Sequence, residues 1–157
     1  MPLRRHILLI AIVLALLLPL CACSYRYDFA VVNKSDHTIE VEYRFKEYTP
    51  AIAEELIAKR PPAKLTLAEF QKAEYHWQEI PKDQYGFDKL TGTFTVSLAP
   101  EEVLFLQYAV NYQGNENEFH IARIKITGAK GSIELVGRQA QTQFQLESDT
   151  KYVLRYR

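Results

Sequence analysis

Apolar and polar residues alternate with a period of two over much of the chain from residue 25 onward. In residues 25–31 the apolar side chains fall on one phase, and Arg26 and Asp28 fall on the other. Residues 39–45 repeat this pattern without a break, and the polar cluster 33–36 between the two runs is typical of a turn. Period-two alternation predicts strands with one buried face. We therefore expect the two runs to form a hairpin with one face on the core and the other in water.

Six further strands are predicted in the second half of the chain from the same alternation. They cover residues 93–98, 103–112, 119–126, 132–136, 142–146 and 151–157. The run 103–112 is apolar on both phases, which indicates a central strand covered on both sides. A change of phase near Ala122 indicates a β-bulge. The pattern predicts a mainly β fold, an antiparallel β-sandwich of about eight strands, with a small barrel as the alternative.

A partly helical insertion interrupts the strand pattern over residues 48–90. Good helix formers precede Pro61-Pro62, and these two prolines end the first predicted helix. The sequence Thr66-Leu67-Ala68-Glu69 is a capping box and predicts a second short helix, with Phe70 and Trp77 on one side of it. We expect the insertion to cover the sandwich, with Phe70 and Trp77 largely buried.

The first residues of the chain have the pattern of an export signal. Arg4 and Arg5 precede an unbroken apolar run over residues 7–18, which Pro19 ends. As a helix, this run spans about 18 Å at ~1.5 Å per residue, which is shorter than the ~30 Å hydrocarbon core of a membrane. The run is therefore interpreted as the apolar core of a signal peptide rather than a membrane-spanning anchor.

The residues after this run, Leu20-Cys21-Ala22-Cys23, resemble the lipobox of bacterial lipoproteins. In that motif an aliphatic residue and a small residue lie three and one positions before the lipidated cysteine, which makes Cys23 the modified residue. The resemblance implies a lipid anchor on Cys23 and cleavage before it. An ordinary secretory signal peptide cleaved nearby is the alternative.

This assignment makes residues 1–22 a lipoprotein signal peptide, and residues 23–157 are expected to fold as a single domain with the insertion 48–90. The strand pattern of that domain resembles immunoglobulin-like and transthyretin-like domains of envelope lipoproteins, at the level of architecture alone. The lipobox resemblance implies a bacterial cell envelope protein that is lipid-anchored to a membrane. Ser24 after the cysteine resembles outer-membrane sorting, which in a Gram-negative host would face the protein toward the periplasm.

Composition and motifs exclude several functional classes. The sequence has 19 basic and 19 acidic side chains and a formal net charge of zero, so we expect no nucleic-acid partner. The sequence contains no phosphate-binding loop, dinucleotide fingerprint or nucleophile elbow. No pair among His37, His76 and His120 has the spacing of metal ligands. We therefore predict no catalytic residue, no metal and no cofactor.

The insertion also carries the candidate recognition surface. Tyr75, His76 and Trp77 are consecutive, and Tyr85 and Phe87 follow closely. Binding residues collect on loops that a rigid scaffold carries, and this insertion is the longest departure from the strand pattern. The competing interpretation is that these side chains cap an open end or edge of the sandwich.

Three arginines are candidates for contact with the membrane surface. Arg26 begins the first predicted strand, and Arg155 and Arg157 end the last one. Only Ser24 separates Cys23 from the first strand, so an anchored domain is expected to lie close to its membrane. If the two strand ends meet, the arginines form a basic patch that contacts lipid phosphates. The alternative is that they are solvated charges at strand ends.

The sequence thus favours a membrane-anchored envelope lipoprotein that acts as a non-catalytic binding or structural module. The expected partners are the membrane, through the lipid anchor, and a further envelope protein that the sequence does not identify. Two alternatives stay open. One is a carrier that holds an apolar ligand within the sandwich, and the other is a hydrolase whose site in the insertion uses His76 with Glu79 or Asp83.

Substitution of the two cysteines tests the lipobox assignment. Cys23→Ser is expected to abolish lipidation and to leave an unprocessed precursor, because serine has no thiol to carry the lipid. Cys21→Ser is expected to be nearly neutral and is the matched control. Incorporation of a radioactive fatty acid measures both, and label retained by the Cys23→Ser protein would contradict the assignment.

Overall fold

The structure of the chain, a computed structural model, describes residues 24–157. The predicted signal peptide and Cys23 lie outside the described residues. Within 24–157 the chain forms eleven strands in two sheets, so the fold is mainly β. No helix in this range is long and apolar enough to cross a membrane.

The strands and helices are numbered in chain order. The strands are β1 (Arg26–Asn33), β2 (Ile39–Phe45), β3 (Ala63–Thr66), β4 (Gln78–Glu79), β5 (Tyr85–Asp88), β6 (Thr93–Leu98), β7 (Glu102–Val110), β8 (Ile121–Gly128), β9 (Gly131–Val136), β10 (Gln145–Ser148) and β11 (Lys151–Tyr156). The helices are α1 (Ala53–Lys59), α2 (Leu67–Phe70) and α3 (Arg138–Thr142), and short 3-10 turns occur at Pro50–Ile52, Lys82–Gln84 and Glu116–Glu118.

The two sheets are built mainly from antiparallel pairs. The first has the order β10-β11-β1-β7-β3-β4, and the second has the order β5-β6-β2-β8-β9. The one parallel pair among the described strands is β1 with β11, in which Asp28 lies opposite Lys151 and Asn33 lies opposite Tyr156. A strand near the start of the described chain therefore pairs with the last one.

The number and pairing of strands differ from the sequence-based expectation. The eight predicted strands are present, and the three others, β3, β4 and β5, lie inside the insertion 48–90. The expected hairpin of β1 and β2 is wrong, because the two strands belong to different sheets. Period-two alternation shows which face of a strand is buried but not which strand lies beside it.

β1 also differs from the expectation of one wet face. From Phe29 to Asn33 every residue of β1 is buried, and Asp28 is buried as well. The strand lies between β11 and β7, and apolar side chains cover both of its faces. The expectation that β7 is a central strand covered on both sides is confirmed only for its first part, where Val103 and Leu104 are buried on opposite faces. Tyr108 and Val110, toward its end, are exposed.

One large core contains residues of both sheets. Phe29 of β1, Tyr43 of β2, Phe94 of β6 and Leu104 of β7 belong to it, and each is at most 2% exposed. The Phe29 ring is central: it stacks on Tyr152 at 4.9 Å between centroids and meets three other rings edge-on. Those rings are Tyr112, Phe119 and Phe144.

A second, smaller cluster lies on the other face of the six-stranded sheet. Ala30, Val32 and Val103 of the sheet are covered by Leu67 and Phe70 of α2. The Thr66–Glu69 capping box is formed, with both reciprocal hydrogen bonds present. Phe70 is 2% exposed, as expected, but the helix ends there, and Trp77 reaches the cluster from the segment that follows and is half-buried.

Local irregularities bear out some predictions and correct one. The register of β2 with β8 skips Ala122, which confirms the predicted bulge. Gly128 pairs with Gly131 at the turn between β8 and β9, where Gly131 has a φ of 118°. The strand predicted over 142–146 is shifted: residues Arg138–Thr142 form α3, and β10 begins at Gln145.

Removal of the Phe29 ring tests whether the two sheets depend on one core. Phe29→Ala is expected to lower the free energy of unfolding by about 3–5 kcal/mol, because it deletes a fully buried ring and leaves a cavity. Leu90→Ala is the control, since Leu90 is 85% exposed. Chemical denaturation measures both, and equal midpoints for the two variants would contradict a shared core.

Candidate functional site

The carboxylate of Asp28 fastens the insertion to the outer face of the six-stranded sheet. Its Oδ2 accepts hydrogen bonds from the Tyr75 hydroxyl at 2.9 Å and from the Trp77 indole N–H at 2.8 Å. Its Oδ1 accepts from Nε of Arg26 at 2.8 Å, which also forms a salt bridge. Asp28 is only 4% exposed, so these three donors replace the water that a buried carboxylate would lose.

Lys151 supplies a second attachment on the same face. Its ammonium donates to the carbonyl oxygen of Phe70 at 2.5 Å and to that of Lys72 at 3.0 Å. It also lies 4.5 Å from the centre of the Tyr75 ring, in the geometry of a cation–π contact. Burial lowers the pKa of the Lys151 ammonium. Burial and, after it, the charge of Asp28 raise the pKa of the Tyr75 hydroxyl.

These contacts divide the five candidate recognition residues into separate groups. Tyr75 and Trp77 pack on the smaller cluster, and His76 between them is exposed. Tyr85 and Phe87 lie on β5 and pack against Phe94 in the large core. The structure therefore does not bring the five side chains onto one surface, and the geometry favours the packing interpretation for four of them.

A groove of about 500 Å³ lies beside β7 and is called here the β7 groove. One side is formed by consecutive residues of β7, from Phe105 to Val110. The other side is formed by Lys59, Arg60 and Pro61, where the chain passes from α1 to β3, and Trp77 and Arg26 also line it. Its volume lies within the range of about 300–1,000 Å³ that is typical of ligand sites.

The groove exists because β3 leaves β7 early. β3 pairs with β7 only from Thr66 opposite Glu102 to Ala63 opposite Phe105. The residues that would continue this ladder are Pro62 and Pro61, which have no N–H to donate. Beyond Phe105, β7 therefore keeps its β1 neighbour but has no strand partner on its other side within residues 24–157.

A buried glutamine of β7, Gln107, holds the loop before β8, whose residues Asn117, Glu118 and His120 also line the groove. The register of β1 with β7 skips Leu106, so that both Leu106 and Gln107 are buried. The Gln107 amide donates to the Glu118 carbonyl oxygen at 3.1 Å and accepts from the His120 N–H at 2.7 Å. Both ends of the side chain are thus satisfied, and the loop before β8 is held against β7.

Aromatic and charged side chains line the outer part of the groove. The Trp77 and Phe105 rings are 5.0 Å apart, and the Arg26 guanidinium lies 4.7 Å from the centre of the Tyr108 ring. Tyr108 and Val110 are 53% and 52% exposed. Arg60 lies over the Phe45 ring at 5.2 Å and has no salt-bridge partner in the described part of the chain.

The three arginines proposed for membrane contact do not lie together. β1 and β11 run parallel, so Arg26 at the start of β1 is at the opposite end from Arg155, which lies opposite Val32. Arg26 and Val32 are six residue steps apart along β1, which is about 20 Å at ~3.3 Å per residue. Arg155 forms a salt bridge with Glu147. The expectation of one basic patch is therefore wrong, because it required the strand ends to meet.

The structure also shows how the groups named in the two alternative functions are placed. In the described range, no hydrogen bond or ion pair joins His76 to Glu79 or Asp83, the groups suggested for a hydrolase. Between the sheets, fully buried aromatic rings fill the space in which a carrier would hold an apolar ligand. Among residues 24–157, no cluster of His, Cys, Asp and Glu has the arrangement of a metal site.

Comparisons with known protein families, with curated proteins and with solved structures found no match to this chain.

Parts of this site have signals in the sequence other than period-two alternation. The continuous apolar run 29–32 indicates a strand covered on both faces, and on such a strand Asp28 requires hydrogen-bond donors. Pro61-Pro62 indicates the end of a helix, and the same two residues also prevent strand pairing beyond Ala63. No sequence pattern points to the role of Lys151, because its partners are backbone carbonyl groups of Phe70 and Lys72 in a distant segment.

Substitution of Asp28 tests its role in holding the insertion. Asp28→Ala is expected to lower the free energy of unfolding by about 2–3 kcal/mol, since the Trp77 and Tyr75 donors lose a charged acceptor. Trp77 is the single tryptophan of the sequence, so its fluorescence should shift to longer wavelength in the folded variant. Asp36→Ala is the control because that side chain is 86% exposed. An unchanged melting curve and emission spectrum for Asp28→Ala would show that the cluster does not hold the insertion.

Proposed function

We propose that the protein is a cell-envelope lipoprotein, anchored to a membrane through Cys23, whose β-sandwich domain is a non-catalytic binding module. The β7 groove is the binding site in this proposal. The observation that carries it is the groove itself, an open cleft beside β7 that the exposed Tyr108 and the partly buried Phe105 and Trp77 line. Ligand sites are concave and combine apolar surface with polar groups that fix orientation. The β7 groove is concave, and its lining combines aromatic residues with polar and charged ones such as Arg26 and Gln107.

Two features of the groove support binding over a purely structural role. Tyr108 and Val110 are large side chains on the end of β7 that pairs with β1 alone, and both are about half exposed beside the groove. The walls are held in place by satisfied polar contacts, those of Asp28 on one side and of Gln107 on the other. A preformed site loses little conformational entropy when a ligand binds.

The contacts of Tyr25 support the proposal that the groove lies close to the membrane. The Tyr25 N–H donates to the Asn111 side chain at 2.8 Å, and the Asn111 N–H donates to the Tyr25 carbonyl oxygen at 2.7 Å. The chain is thus fixed from Tyr25 onward, two residues after Cys23, and Arg26 already lines the groove. In this proposal the ligand is met at the membrane surface, where a further envelope protein is the expected partner.

Site-specific photo-cross-linking in the native host tests this function. A photoreactive phenylalanine analogue at Tyr108 is expected to give a discrete adduct, because this position borders the groove and faces solvent. The same analogue at Leu90, which is more exposed and lies outside the groove, is the control. The proposal predicts that the Tyr108 adduct weakens when Trp77→Ala is added. The same adducts from both positions, or none from Tyr108, would contradict it.

A further inference from the structure

The edge of β7 that borders the groove presents backbone hydrogen-bonding groups that have no strand partner among residues 24–157. The Asn111 N–H donates toward β1, to the Tyr25 carbonyl oxygen. The Asp28 N–H points the other way, away from β7, and donates to the Thr150 carbonyl oxygen at 2.9 Å. In an antiparallel ladder, directly opposed residues alternate between pairs that exchange hydrogen bonds and pairs whose groups point apart.

Both observations show which residues at the end of β7 direct their backbone groups toward β1 and which direct them away from it. Tyr108 lies opposite Asp28, and Val110 lies opposite Arg26. Each of these is a pair whose backbone groups point apart. The N–H and C=O groups of Tyr108 and Val110 therefore point away from β1, into the space that β3 would occupy if it continued beyond Ala63.

The shape of the groove selects the kind of chain that can fill this space. β7 bounds it on one side, and the end of α1 with Pro61 bounds it on the other. Two such walls favour a single extended segment, because the edge of a second folded sheet needs open space beyond the added strand. The free edge, Leu106–Val110, spans about 17 Å at ~3.4 Å per residue, enough to pair with about five residues.

The surroundings of the edge suggest the chemistry of that segment. Phe105, Tyr108 and Trp77 form an aromatic surface on the outer side, which suits alternate apolar side chains of an added strand. Arg60 is a cation with no carboxylate partner in the described range, and it stands at the α1 end of the groove. An acidic side chain of the segment would complement it.

We propose that the β7 groove binds an extended peptide segment of a partner protein as an additional strand, paired with the Leu106–Val110 edge of β7. This mode of recognition takes its affinity from backbone hydrogen bonds and its specificity from alternate side chains. The inference rests on the proposed function of the groove as a binding site and adds the class of ligand and the way it is held.

The test uses the full chain in detergent micelles and a phage-displayed library of random linear dodecapeptides as the probe. Peptides selected on the natural protein are measured against Val110→Pro and Val110→Ala. Proline removes the N–H that points into the groove and leaves the β1 ladder intact, because that N–H does not face β1. Alanine shortens the same side chain and keeps the N–H, which makes it the matched control.

We expect Val110→Pro to weaken peptide binding about tenfold or more and Val110→Ala to weaken it by less than about threefold. Melting curves establish that both variants are folded. Hydrogen exchange gives an independent readout: the Tyr108 and Val110 amides should exchange fast in the free protein and slowly in the complex. The Ala109 amide, which faces β1, should be slow in both states.

Each other outcome overturns the inference in a distinguishable way. Peptides that change Trp77 fluorescence but bind Val110→Pro as tightly as Val110→Ala would refute strand pairing and leave the groove as a binding site. A library that yields no peptide for the groove would count against the proposed function as well. Protection of the two amides that appears without peptide and rises with protein concentration would assign the edge to a second copy of the chain.

Discussion

The buried carboxylate of Asp28 is the contact on which the arrangement of the insertion depends. A charge in this position is costly unless donors surround it, and here the donors come from two separate places, Arg26 on its own strand and the Tyr75–Trp77 segment. Meeting that requirement brings the segment over Ala30 and Val32, whose burial the hydrophobic effect then favours. It also sets Trp77 beside Phe105, where the indole becomes part of a groove wall.

Proline and the bulge in β7 shape the other parts of that groove. Pro61-Pro62 ends the ladder of β3 with β7, and the bulge at Leu106 turns Gln107 inward, where it holds the loop before β8. Both features interrupt regular sheet structure. The prolines leave the end of β7 without a strand partner on its groove side within residues 24–157, and the bulge holds the loop before β8 beside it. Bulges and prolines often interrupt sheets in this way beside functional sites.

Much of the fold could be predicted from the sequence, because burial of one strand face produces a period-two alternation of apolar and polar residues. The alternation in residues 39–45 gave β2 correctly, the phase change at Ala122 gave the bulge in β8, and the Thr66–Glu69 pattern gave α2. Which strands lie side by side could not be obtained in this way. Pairing of β1 with β11 rather than β2 depends on contacts between distant segments, and the alternation of each strand fits several neighbours equally well. The same holds for the candidate site. Its aromatic residues could be identified in the sequence, but the roles of Asp28, Gln107 and the free edge of β7 depend on tertiary contacts.

The parallel pairing of β1 with β11 has a consequence for how the chain reaches its structure. Asp28 meets Lys151 across roughly 120 residues, and β1 has β7 on its other side. The Phe29 ring needs Tyr152 for its stacking partner, and the Phe70 carbonyl group needs the Lys151 ammonium. Neither the large core nor the smaller cluster can be completed until β11 has been synthesised. Folding of both clusters therefore depends on β11, and long-range closure of this kind is intrinsically slow.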